Sequence, residues 1–245
     1  MFEIQMNWSP VLALIFLLAA LFVPYTIGVC SGHVRAWFPF IHELGANDPD
    51  RCVFTALLNL VALLLFVNVN DQRNVINEIL VWQTQSSYLY GFSFWCGALA
   101  CFGLFLMANF PAINNKLPFF IHCCGAVLFF CGSPVYCGIL TLFSYNETKY
   151  YDENWFPFII RCQFLFLYLI ALIGYIVFWY FGKSQPQKVI IKISALCQWL
   201  LPITVIAFFL TYEMEFWKLH GGQIHHKITV NRYQKTNANL KLSWD

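Results

Sequence analysis

Six long stretches of this chain are apolar and almost uncharged, at 11–30, 52–69, 91–110, 119–143, 158–181 and 189–212. Each is close to the roughly 20 residues that carry a helix across a hydrocarbon core of about 30 Å. No acidic residue occurs between Glu78 and Glu147, nor between Glu153 and Glu213. Backbone in hydrocarbon must satisfy its own hydrogen bonds, so runs of this length read as helices. Only 11% of the 245 residues are charged, against roughly 25% in a soluble domain. Disordered, collagen-like and nucleic-acid-binding classes are excluded, and a net charge of +2 gives no general attraction to polyanions. The expected fold class is all-α. It is a polytopic membrane protein with a six-transmembrane-helix bundle over 1–215 and a polar, weakly basic C-terminal tail over 216–245.

The first run reads as a retained span, because the residues before it hold no Lys or Arg and the run is long for a signal peptide. Arg161 and Lys192 sit about a turn inside their spans, from which a long stem can snorkel to the interface. An even span count puts both termini on one side. Seven basic residues flank that side (Arg73, Lys149, Arg161 and four of the proximal tail) and six flank the other. The positive-inside rule therefore does not choose an orientation. Asn7-Trp8-Ser9 and Asn146-Glu147-Thr148 are glycosylation triplets on the termini side; either, if used, would put that side in a lumen. Two connections are long. The first, 31–51, mixes aromatics, Pro, Gly, two His and three acids; the second, 70–90, carries Trp82, Tyr88 and Tyr90, residues suited to the interface.

Lipid gives helices no hydrophobic reason to associate, so close contact rests on small residues. Smooth faces are expected at Ser93, Gly97 and Cys101 in the third run and at Gly125, Ala126, Gly132, Ser133 and Gly138 in the fourth. Cys52, Thr55, Ala56, Asn59 and Ala62 share a face in the second. Pro134 should kink the fourth. Asn59, His122, Gln163 and Gln198 lie deep in spans. Each is expected to make interhelical hydrogen bonds averaging about 0.6 kcal/mol.

Spans without acids, in halves without matched interruptions, argue against an ion-coupled carrier. The first connection offers Ser31, His33, His42, Glu43, Asp48 and Asp50, and His122 lies near a membrane face. A membrane hydrolase or a zinc site is built from such groups. However, the chain has no HExxH or GxSxG, and its adjacent pair His225-His226 lies in the tail. Most of the ten Cys fall inside spans, where they act as small apolar residues. Cys30 and Cys52 bracket the first connection and form a candidate disulfide on an oxidising side. The tail's Lys218, Lys227, Arg232, Lys235 and Lys241 are dispersed and offer weak attraction to an anionic leaflet.

Several short motifs recur in a telling order. Ser31-Gly32-His33-Val34 is followed by Phe38-Pro39-Phe40-Ile41 and Gly45 in the first connection. Ala100-Cys101-Phe102-Gly103 and Ala108-Asn109-Phe110 close the third span; His122 with Gly125-Ala126 opens the fourth, and Ser144-Tyr145 ends it. Ile160-Arg161 marks the fifth span; Cys197-Gln198-Trp199 and Phe208-Phe209-Leu210-Thr211-Tyr212 mark the sixth. In this order the chain resembles the damage-regulated autophagy modulator (DRAM) family up to about Phe216. That resemblance implies six spans, association with lysosomes and other endomembranes, and promotion of autophagy. It also implies cytosolic termini, with loop 31–51 in the lumen or outside. Wider relatives act in GPI-anchor lipid remodelling and in regulating phosphatidylinositol 4-kinase at the plasma membrane. The chain departs from the family pattern at Gln198, where relatives often have Glu, and in its short connection at 182–188.

The expectation is a multi-pass endomembrane or lysosomal protein that modulates autophagy without catalysis, as a lipid- or partner-binding scaffold. His33, Pro39, Gly45 and Asp48 would form a loop recognition surface, and Asn59, Asn109, His122 and Gln198 would organise the polar interior. Membrane lipids are the expected partners, with no cofactor, metal or nucleic acid; protein partners and oligomeric state stay open. Two alternatives stand beside it: a factor in GPI-anchor lipid remodelling, and an accessory subunit of a phosphoinositide-kinase complex or channel at the plasma membrane.

Overall fold

The computed structural model describes residues 8–83, 88–112, 116–151, 155–184 and 188–220. They form α1 (Ser9–Cys30), a single 3-10 turn (Ile41–Gly45), α2 (Asp50–Gln83), α3 (Tyr88–Asn109), α4 (Lys116–Tyr151), α5 (Phe156–Ser184) and α6 (Lys188–His220). All six α-helices contain a segment long and apolar enough to cross a membrane, and there is no strand among the described residues. The all-α, six-span fold is thus present. The tail beyond 220, with His225-His226, and Asn7 of the first triplet lie outside the described residues, whereas Ser9 of that triplet is buried and donates to Asn68 Oδ1 at 2.7 Å.

Several helices outrun their apolar stretches. The connection expected over 70–90 is helical as far as Gln83. Neither Gly nor Pro interrupts it, and Val69, Gln72 and Ile76 continue the buried stripe at helical spacing. With 34 residues, α2 is about 51 Å long and projects beyond the core on the termini side. Tyr88 is exposed there, but Tyr90 is buried, edge-on to Phe143 at 5.1 Å. The triplet Asn146-Glu147-Thr148 lies within α4 with Thr148 buried, so it offers no loop for glycosylation.

Short connections make sequential helices antiparallel neighbours, and α1 meets α6, so the six close on themselves. The tightest crossing joins α3 and α4. A Cβ on Gly103 would stand 2.5 Å from the Gly125 carbonyl oxygen, and one on Gly125 would stand 2.7 Å from that of Gly103. Gly97 likewise abuts Val69 and Tyr136 at 2.9 Å. Gly138 takes no part, since nothing comes closer than 4.0 Å to its added Cβ. In α5 only 11% of the most apolar window is buried, against 50% in α6, on which α5 chiefly leans.

Pro134 has no N–H for the Phe130 carbonyl four residues back. Tyr168 of α5 supplies the missing donor at 3.3 Å and also shares a hydrogen bond with Ser133 Oγ at 3.1 Å. Two polar residues sit differently from expectation. Gln163 is exposed on α5 rather than bonded in the interior. Arg161 does not snorkel: it is 0% exposed. Its Nε donates to Thr211 Oγ1 at 3.0 Å, Nη1 to Ser144 Oγ and Nη2 to the Thr211 carbonyl at 3.3 Å. The guanidinium carbon lies 3.4 Å from the Tyr212 ring centroid. A planar, multi-donor cation with that many partners between α4 and α6 has no reason to reach for water. Lys192 stays exposed, with Nζ 6.0 Å from the Trp37 ring.

Candidate functional site: a strapped loop above an apolar cavity

The Ser31-Gly32-His33-Val34 motif ends α1 in a Schellman turn. Gly32 has φ +72°, and its N–H donates to the Val29 carbonyl at 3.2 Å while that of His33 donates to Gly28 at 2.8 Å. A left-handed φ costs glycine nothing. The turn aims His33 back at α2, where its Nδ1–H donates to Asp50 Oδ1 at 3.0 Å. Asp50 is wholly buried in the first turn of α2, where the helix dipole favours a carboxylate. Among the described residues its Oδ2 has no hydrogen-bond partner. A Cβ on Gly28 would stand 3.1 Å from that oxygen and 2.9 Å from Val34, so only glycine fits.

The rest of the loop is strapped to α1 and α6. Tyr25 O–H donates to the Ala36 carbonyl at 2.7 Å and Trp199 Nε1–H to that of Pro39 at 2.8 Å. Ile41 N–H donates to Gln198 Oε1 at 2.9 Å, and Gln198 Nε2 lies 3.4 Å from His42 Nδ1. Gly45 lies under the Phe54 ring, where a Cβ would come within 2.7 Å. Of the four loop residues expected to face outward, Pro39 and Gly45 are therefore buried; His33, with its side chain 31% exposed, and Asp48 reach the surface. Trp37 and Phe38 form more of the outer face. The Cys30–Cys52 bridge is not made: both are free and exposed, and Cys52 Sγ lies 3.6 Å from Asp48 Oδ1, one turn earlier.

The four intramembrane polar residues divide into two groups. Asn59 and Asn109 exchange amide hydrogen bonds at 3.2 and 2.8 Å, and Thr55 O–H donates to the Ala108 carbonyl at 2.9 Å, clipping α2 to α3. His122 Nδ1–H donates to the Phe110 carbonyl at 2.8 Å, fastening the end of α3 to the start of α4. His122 and Gln198 also border a cavity of about 420 Å³ inside the bundle. Pockets that hold small ligands span roughly 300–1,000 Å³. All six helices line this one, through Leu17, Leu58, Leu104, Phe129, Tyr175 and Ile206 among others. His42 completes its polar end. Burial pushes His42 down to about 4, with the nearby His122 a lesser cause, so its imidazole stays neutral and can accept from Gln198. Among the described residues no group of three or more His, Cys, Asp or Glu converges on a point that could hold a metal ion.

The site can hold an apolar group, with a neutral imidazole and an amide at one end. Sequence reasoning singled out His122 and Gln198. It named Asp50 and His42 only among groups from which a hydrolase or zinc site is built, and Trp199 only as part of a motif; their roles in fastening the loop were not foreseen, although Asp50 at the start of an apolar run was an available signal.

Six spanning helices closed around an apolar chamber make this an integral, polytopic membrane protein. Residues 5–219 match the family described as Frag1/DRAM/Sfk1/Cwh43P N-terminal domain, and the chain belongs to that family. It is 26% identical to DNA damage-regulated autophagy modulator protein 2 of Bos taurus, over 99% of this chain and 97% of that protein. It is 24% identical to DNA damage-regulated autophagy modulator protein 1 of Homo sapiens, over 86% and 91% respectively. It is also 24% identical to Modulator of macroautophagy TMEM150B-A of Xenopus laevis, over 95% and 97%. No solved structure matches the chain.

Proposed function

We propose that this chain is an endomembrane protein, resident in lysosomes or a related compartment, that modulates autophagy as a lipid-binding scaffold rather than as an enzyme. One observation carries the reading. Relatives named as autophagy modulators are matched over as much as 97% of their own length. Little in those proteins lies outside what they share with this chain, which supports carrying the role in their names over to it. The scaffold part is supported by the apolar cavity, and by polar groups spent on holding a loop and helix ends together. The termini face the cytosol and the strapped loop faces the lumen.

The test is autophagic flux under starvation and DNA damage in cells lacking the protein, with wild-type rescue. Altered flux restored by rescue supports the reading; flux identical with and without the protein overturns it. Turnover of any phospholipid or GPI substrate by the purified chain would overturn its non-enzymatic part.

A further inference from the structure

We propose that the cavity takes one acyl chain of a bilayer phospholipid, which enters sideways between α4 and α5 from the leaflet on the loop side. This names the ligand class for the lipid-binding reading and rests on it. The first support is where the wall is thin. Phe119 of α4 and Ile176 and Trp179 of α5 all line the cavity, yet they are 51%, 54% and 45% exposed. Leu17, Leu58 and Ile206 across from them are buried. Because α5 leans on α6 more than on α4, the α4–α5 seam is the side that opens to lipid.

The second support is length. Along α4 the lining runs from Phe119 to Phe130, about 16 Å at 1.5 Å per residue. That is close to half of a hydrocarbon core of roughly 30 Å, the reach of a chain belonging to one leaflet. The deep end meets only apolar side chains such as Leu65, Phe129 and Val205, while the polar groups stay at the loop end. The third support is charge at the mouth. Lys116 stands about one turn before Phe119. Lys183 stands about one turn beyond Trp179, with its Nζ 5.4 Å from that ring. Both are exposed, at the level where a phosphate lies when its chain is in the cavity. A sterol would bring no anion to meet them.

The test reconstitutes the full chain in phosphatidylcholine nanodiscs doped with a phosphatidylcholine bearing a diazirine near one chain end. After irradiation, labelled residues are mapped by mass spectrometry. Label is expected on Leu17, Leu58 and Ile206, which lipid around the outside of the bundle does not reach. Ala126→Phe, which fills the cavity, and Ile176→Trp, which crowds its mouth from a face with room, should each cut that inward label roughly fivefold. Ile173→Trp, on the outward face of α5, should leave it unchanged. Lys116→Glu combined with Lys183→Glu should lower it, and excess unlabelled phosphatidylcholine should compete it away. If Ala126→Phe does not fold, Ile176→Trp and the wild-type map still decide. A folded wild type labelled only on outward faces overturns the inference, as does displacement by cholesterol but not by phosphatidylcholine. Either result leaves the flux experiment untouched, so failure here is distinct from failure of the autophagy reading.

Discussion

Asp50 is wholly buried, and His33 is the hydrogen-bond partner of its Oδ1. His33→Ala removes that donor and leaves the carboxylate in place. A cost of about 1–3 kcal/mol is expected, read as a lower unfolding temperature in detergent. Asp48→Ala, two residues away but exposed, should change stability by no more than about 0.5 kcal/mol. His42 gives a pH signature. Its folded value of about 4 lies below the roughly 6.5 of an unfolded chain. Between those values the unfolded state binds the proton more readily, so stability falls as the pH drops through that window. His42→Gln should flatten the fall in unfolding temperature from pH 6.5 to 4; equal slopes in both proteins would refute the role of His42. His33 and Gln198 stand out in the sequence as polar residues in suspicious places. The partner of Gln198 does not, because Gln198 meets Ile41 across a separation of 157 residues and only the closed bundle brings them together.

The α3–α4 crossing separates two glycines that look alike in the sequence. Gly103→Ala drives a Cβ to 2.5 Å from backbone, whereas Gly138→Ala meets nothing nearer than 4.0 Å. Overpacking costs about 1–3 kcal/mol, so Gly103→Ala should lower the unfolding temperature clearly and Gly138→Ala should not. Tyr168→Phe strips the donor from the carbonyl that Pro134 leaves open. A loss between about 0.6 and 1.7 kcal/mol follows from hydrogen bonds measured in membrane helices, checked by the same unfolding experiment. The six spans are legible because hydrocarbon demands long uncharged runs. Their ends are less so: α2 and α4 continue as helix once water replaces lipid, where apolarity stops reporting on structure but helix propensity does not. Small residues mark a face as smooth without saying which neighbour will use it.

Short connections make the order of the helices around the bundle readable in advance. The cavity is not readable, because it is space left by side chains from all six helices and no single stretch encodes it. Orientation is the remaining global property, and the near-even basic flanks do not encode it in the sequence. Cys30 and Cys52 are exposed thiols at the loop-side ends of α1 and α2. Cys131 is also exposed, but it lies mid-span in α4, where a charged reagent in water does not reach. With cytosolic termini, a sulfonated, membrane-impermeant maleimide should leave the protein unlabelled when only the plasma membrane is opened. It should label once the endomembranes are opened too, and Cys30→Ser with Cys52→Ser should abolish the signal. Labelling before the endomembranes are opened would place the strapped loop in the cytosol and reverse the orientation. In the expected orientation the loop meets the acidity of the lumen directly. The neutral His42 then keeps its contact with Gln198 until the pH nears 4, so the loop should stay fastened over the cavity at the acidity of an endomembrane lumen.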